Sequence, residues 1–158
     1  IARSWNVTPI EAALRIVRNG DASVASFNMN EQDIASFMRQ DFIATGSDGS
    51  DGHPRKYGTY PKLFREYVRE RQVITLPHAV RRSSSMPAHM LGLRDRGLLS
   101  TGNFADVIVF DPAGFRDLAS YEEPTRLPEG MKYVFVNGTL AVDHGAFTGA
   151  TSGRVLTR

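Results

Sequence analysis

The sequence predicts an α/β region followed by a β-rich region, each reading as a fraction of a larger architecture. Residues 1–48 alternate helix, strand, helix, strand, the pattern of parallel βα units. From Gly97 onward the signals become short strands joined by an Asn-Gly turn. Two βα units cannot close a barrel, and three or four strands cannot close a sandwich. The first residue is Ile1 rather than Met, so the chain reads as cut from something longer.

The elements follow from local chemistry. Thr8 is the predicted N-cap of a helix, Pro9 its first residue and Glu11 the partner that completes a capping box. Ala13, Leu14 and Val17 form its predicted apolar stripe, and Asn19-Gly20 stops it. Residues 24–29 read as a short strand. Asn30 caps a helix through about Gln40, with Ile34, Phe37 and Met38 inward. Residues 42–45 are apolar and read as a buried strand that ends at Gly46-Ser47-Asp48-Gly49. A Gly/Ser/Asp-rich loop covers 46–60, and Tyr60-Pro61 leads into a helix to about Arg71. Leu63, Phe64, Tyr67 and Val68 share one face of that helix.

Thr75-Leu76-Pro77 starts a further helix through Arg82, and Ser85-Met86-Pro87 starts another that Gly92 closes. Strands are predicted over 105–110, 133–136 and 140–142. Asn137-Gly138 between the last two tolerates the positive φ angles of a type I′ turn. A Pro-bearing connection occupies 111–128, and the domain boundary is placed near residue 97.

Composition is that of an ordinary globular chain: 158 residues, 41% hydrophobic, 23% charged and 9% aromatic. Nineteen basic residues against 17 acidic ones leave a net charge of +2. Arg65, Arg69 and Arg71 alternate with Glu66 and Glu70, which reads as a solvated helix face rather than a nucleic-acid footprint. There is no Cys, which excludes disulfides and thiolate chemistry within this chain and fits a cytoplasmic location. No stretch approaches the about 18 apolar residues of a membrane span.

Asp48 is the leading candidate for chemistry. It follows a predicted strand end, where parallel α/β folds gather catalytic groups. A carboxylate there can ligate a metal or move a proton; the plainer alternative is a turn residue bonding its own backbone. Arg55, in His53-Pro54-Arg55, can clamp a carboxylate in a two-pronged fork, or else pair with Asp51 in a surface loop. His53 can donate to an oxyanion or support the loop. His78, His89 and His144 show no metal-ligand spacing and read as structural. Tyr57 sits close enough to Arg55 in sequence to line a pocket.

The motifs taken in series resemble the D-aminoacylase (N-acyl-D-amino-acid deacylase) family of the amidohydrolase superfamily. They are Gly46-Ser47-Asp48-Gly49, then His53-Pro54-Arg55-Lys56-Tyr57-Gly58-Thr59-Tyr60-Pro61, Ala79-Val80-Arg81-Arg82 and Gly92-Leu93-Arg94-Asp95-Arg96-Gly97. Ala105-Asp106-Val107-Ile108-Val109-Phe110-Asp111, Val136-Asn137-Gly138 and Gly153-Arg154-Val155-Leu156 follow in the same order. The segment from His53 to Pro61 is the part most specific to the acyl-D-amino-acid branch. The resemblance implies a TIM-type (β/α)₈ barrel beside a small β-sandwich. Residues 1–97 would supply the last barrel units, and 98–158 the C-terminal strands of the sandwich.

The resemblance also implies an activity: zinc-dependent hydrolysis of N-acyl-D-amino acids. Zinc would polarise the carbonyl and lower the pKa of its bound water. Asp48 would contact the metal, take a proton from that water and deliver it to the leaving amine. Arg55 would bind the α-carboxylate of the substrate. The family's remaining metal ligands, His-x-His on its first barrel strand among them, are absent from this sequence, so the isolated chain is expected to be inactive. The expected partners are a small-molecule substrate and the missing N-terminal part of the same protein, with no nucleic acid and no membrane. His78 stands where the family often has an acidic residue, and it reads as surface variation. Two other readings are weighed: a different amidase of the superfamily, dihydroorotase- or dipeptidase-like, and a non-catalytic domain that works by association.

Overall fold

Helix α1 (Pro9–Arg18) begins where the side chain of Thr8 accepts a hydrogen bond from the Glu11 amide at 3.2 Å, as seen in a computed structural model that describes residues 1–20 and 26–156. The second half of the expected capping box is replaced: the Glu11 carboxylate accepts instead from Arg15, one turn on, at 2.7 Å. The expected stripe is also corrected. Ala13, Leu14 and Val17 are exposed, and Ala12 is the buried position. This helix belongs to a first compact unit, Ile1–Glu31; a second unit holds Gln32–Arg158.

Among the described residues, neither predicted strand of the first half forms. Residues 24 and 25 lie outside the described residues, and 26–29 make no ladder. Phe42 lies in a turn and is 69% exposed, and residues 43–45 join no ladder. A parallel strand exists only through its ladder neighbours, and every ladder among the described residues is antiparallel. One tether remains: the Thr45 amide donates to the Arg82 carbonyl at 2.9 Å.

Helix α2 (Glu31–Met38) turns Ala35 inward, with Ile34 and Met38 against the core, while Phe37 is 58% exposed, contrary to expectation. Helix α3 spans Arg55–Lys62 and runs straight into a π-helical segment, Leu63–Glu70. It therefore starts five residues before the predicted Tyr60 and carries Pro61 inside. Pro61 has no amide to give the previous turn, and the winding widens directly after it. The Arg71 amide reaches the Glu66 carbonyl, five residues back, at 2.8 Å. The predicted apolar face is the observed one, with Leu63, Phe64 and Tyr67 buried and Val68 packed beside them.

Helix α4 (Leu76–Ser83) is capped by Thr75, whose hydroxyl accepts from the His78 amide at 3.3 Å. Helix α5 (Ser85–Met90) ends at Gly92, φ 73°, where the amides of Gly92 and Leu93 satisfy the carbonyls of His89 and Ala88.

The sheet is an antiparallel meander of β1 (Val107–Phe110), β2 (Met131–Val136), β3 (Thr139–Asp143) and β4 (Ala146–Phe147), in that order. Asn137 and Gly138 take φ of 50° and 82°, the predicted type I′ turn, and set Val136 opposite Thr139. His144 and Gly145 repeat the device at 47° and 83°, which adds the unforeseen β4.

The connection over 111–128 is more than a linker. Phe115, 3% exposed, packs with Phe64 and Phe110 at ring-centroid distances of 5.1–5.6 Å. These residues join Leu63, Tyr67, Ile74 and Ala79 in one core that draws on both sides of residue 97. The charged helix face expected to be solvated in fact ties this connection down. Arg65 Nε donates to Asp117 Oδ1 at 2.7 Å, and Arg69 Nη1 to the Phe115 carbonyl at 2.7 Å. Asp117 and Glu70 around Arg65 hold its proton more firmly than usual despite partial burial.

Candidate functional site

The loop before α3 brings the two leading candidates together. Asp48 has φ 45°, in the left-handed region. Its carboxylate Oδ2 lies 3.1 Å from Arg55 Nη2, with the Asp48 side chain 88% exposed and that of Arg55 39%. The same Nη2 donates to Ser50 Oγ at 3.4 Å. The alternative pairing of Arg55 with Asp51 does not occur, because Lys56 takes Asp51. By hydrogen bond and by charge, that ammonium holds the Asp51 carboxyl below its ordinary range.

Arg55 is anchored at its backbone as well. Its amide donates to His53 Nδ1 at 3.1 Å, and its carbonyl accepts from Thr59 Oγ1 at 2.8 Å. Arg55 Nε is enclosed and has no hydrogen-bond partner. The arginine thus presents its Nη2 to Asp48 and Ser50.

His53 makes a second contact, unforeseen in the sequence. Its Nε2 lies 3.2 Å from Tyr121 Oη, and the two rings meet edge to face with centroids 5.2 Å apart. The partners are 68 residues apart, and nothing in the spacing of Tyr121 signals the contact. Tyr60, close in sequence to this loop, donates from Oη to the Thr45 carbonyl at 3.3 Å.

His78 and His144 make structural contacts, and His78 is less superficial than expected. His78 Nε2 lies 3.2 Å from the Met38 carbonyl, which also accepts from the buried Arg82 at 2.6 Å. Burial pulls the Arg82 guanidinium below its ordinary pKa. His144 bridges Tyr133 Oη at 2.9 Å and Asp143 Oδ1 at 2.7 Å across an exposed turn. Among the described residues no group of three or more His, Cys, Asp or Glu could hold a metal ion. Asp48 stands as a single carboxylate, so these residues do not by themselves fit a catalytic metal. No helix among them is long and apolar enough to cross a membrane.

Known proteins place this loop in context. The profile of the Amidohydrolase family matches residues 10–142. N-acyl-D-glutamate deacylase of Alcaligenes xylosoxydans xylosoxydans is 35% identical over 162 aligned positions, covering 100% of this chain and 32% of that protein. D-aminoacylase of the same organism is 38% identical, covering 87% of this chain and 29% of that protein. A crystal structure of D-aminoacylase superposes with a TM-score of 0.78 at 36% identity, over 82% of this chain and 28% of that one. N-acyl-D-glutamate deacylase from Bordetella bronchiseptica, complexed with zinc and a phosphonate mimic of the tetrahedral intermediate, gives 0.75 at 34% identity, over 89% and 30%. The chain thus spans about a third or less of the length of these relatives. With a matching profile over most of its length and relatives above 30% identity along nearly all of it, the chain belongs to the amidohydrolase family.

Proposed function

We propose that the protein to which these residues belong hydrolyses the amide bond of N-acyl-D-amino acids, releasing a carboxylic acid and a free D-amino acid. The observation that carries this reading is the 3.1 Å contact between Asp48 and Arg55. It sets a carboxylate able to move protons beside a guanidinium able to clamp a carboxylate, and an N-acyl amino acid needs both. The deacylase relatives support the same chemistry.

In this reading Asp48 takes a proton from the attacking water and delivers it to the nitrogen of the leaving amine. Arg55 binds the α-carboxylate of the substrate through the exposed part of its guanidinium. Fixing that carboxylate selects which hand of amino acid presents its acyl group to the reacting centre. Zinc is proposed as the cofactor from the Bordetella relative. Asp48 is the one ligand offered here, and the others are assigned to the rest of the protein. Residues 1–97 are proposed as the last units of the barrel, and 98–158 as the C-terminal strands of the β-sandwich.

The test is amine release by the parent protein, supplied with zinc, from matched N-acetyl-D- and N-acetyl-L-amino acids. Zinc-dependent release from the D series alone is expected. Release from neither series would overturn the reading.

A further inference from the structure

We infer that His53 and Tyr121 are positioning residues for the substrate-carboxylate site, holding Arg55 from behind; this rests on the proposed role of Arg55. The α3 amide that opens the helix belongs to Arg55 itself, and the His53 ring satisfies it through Nδ1 at 3.1 Å. Pro54, at the cap position, has no side chain that can do so. A neutral imidazole that accepts at Nδ1 carries its proton at Nε2. That Nε2 faces Tyr121 Oη at 3.2 Å, so the proton is donated to the phenol oxygen.

Tyr121 lies close in sequence to anchored residues. Its segment follows Asp117, which is clasped by Arg65 at 2.7 Å, and Phe115, whose carbonyl accepts from Arg69 and whose ring lies in the core. The route from the core to the clamp is therefore Phe115 and Asp117, then Tyr121, His53 and the Arg55 backbone. Each link is a hydrogen bond, a ring contact or a short run of chain. A histidine serving only to cap a helix would need no such prop from the far side of the sequence. Arg55 opens α3 directly after a glycine-rich loop, with its side chain 39% exposed, so the cap at its amide sets where the guanidinium starts. Misplacing a binding group by about 1 Å can cost as much as about 100-fold, so this support bears on affinity.

The experiment compares N-acetyl-D-amino acids with their α-carboxamides as substrates of the zinc-supplied parent protein. The variants are Arg55→Ala, His53→Ala, His53→Asn and Tyr121→Phe. Arg55→Ala should abolish the preference for the free acid. His53→Ala should raise KM for the acid about 10-fold, leave kcat within about 3-fold, and leave KM for the carboxamide unchanged. His53→Asn, whose Oδ1 can accept the Arg55 amide, should recover most of that loss. Tyr121→Phe keeps the ring contact, loses the hydrogen bond and should raise KM for the acid about 3-fold. If Arg55→Ala abolishes the preference while His53→Ala and Tyr121→Phe keep wild-type KM, the support role is wrong and the clamp stands. If Arg55→Ala leaves the preference intact, the clamp and its support fall together. A fall in kcat at unchanged KM in His53→Ala would place His53 at the reacting atoms and overturn the positioning role.

Discussion

Arg55 Nη2 and Asp48 Oδ2 stand 3.1 Å apart, so the two residues with proposed roles in substrate binding and proton transfer are each other's partner. The pair is exposed on the Asp48 side, and salt screens such a contact. In the proposed function a substrate carboxylate competes with Asp48 for the Arg55 guanidinium.

Asp48→Asn in the parent protein should lower turnover by at least about 100-fold, the usual worth of a group that moves protons. The amide keeps the shape but cannot cycle a proton. Steady-state amine release measures this, and near-normal turnover would remove Asp48 from the mechanism.

Arg55→Lys should raise KM for the acid substrate without the full loss expected on truncation to Ala. A lysine keeps the charge but lacks the planar fork that grips both carboxylate oxygens. Equal KM in the lysine variant and the wild type would show that charge alone binds the substrate.

Phe64→Ala should destabilise the chain by about 3–5 kcal/mol. Phe64 is 5% exposed and meets both Phe110 and Phe115, so the cavity would open where helix, strand and connection converge. Urea unfolding of wild type and variant checks this, and a loss below about 1 kcal/mol would mean the ring cluster can collapse around the gap.

Acid should weaken the meander through Asp106. Burial pushes its carboxyl upward, but the Asn137 amide at 2.8 Å and the Arg96 guanidinium outweigh that and hold it below the ordinary value. The unfolded chain then binds the proton first, so this stability is present above the ordinary aspartate range near about 4 and is lost as pH falls toward the lower folded-state value. Asp106→Asn should be less stable than wild type at neutral pH, and the gap should shrink below about pH 4. Urea midpoints across that range test it; a gap independent of pH would exclude Asp106 as the source.

Thr8-Pro9, Thr75-Pro77 and Ser85-Pro87 marked helix starts, Gly92 marked a helix end and Asn137-Gly138 marked a hairpin, all from sequence alone. Such signals are legible because caps and tight turns are settled by a few adjacent residues and the φ angles they allow. The candidates Asp48 and Arg55 and the family resemblance were legible for a similar reason: residue type and spacing carry them. What lies across the fold was not. Residues 42–45 have the composition of a strand but no ladder to join, and a strand is a property of pairs rather than of one segment. Pro61 reads as a helix start, yet packing of Leu63, Phe64 and Tyr67 carries the helix through it. Arg55 choosing Asp48 over Asp51, Phe115 entering the core and Tyr121 meeting His53 were decided only in three dimensions. Each joins groups whose separation along the chain carries no local preference, so burial and hydrogen bonding select them only once the chain has folded.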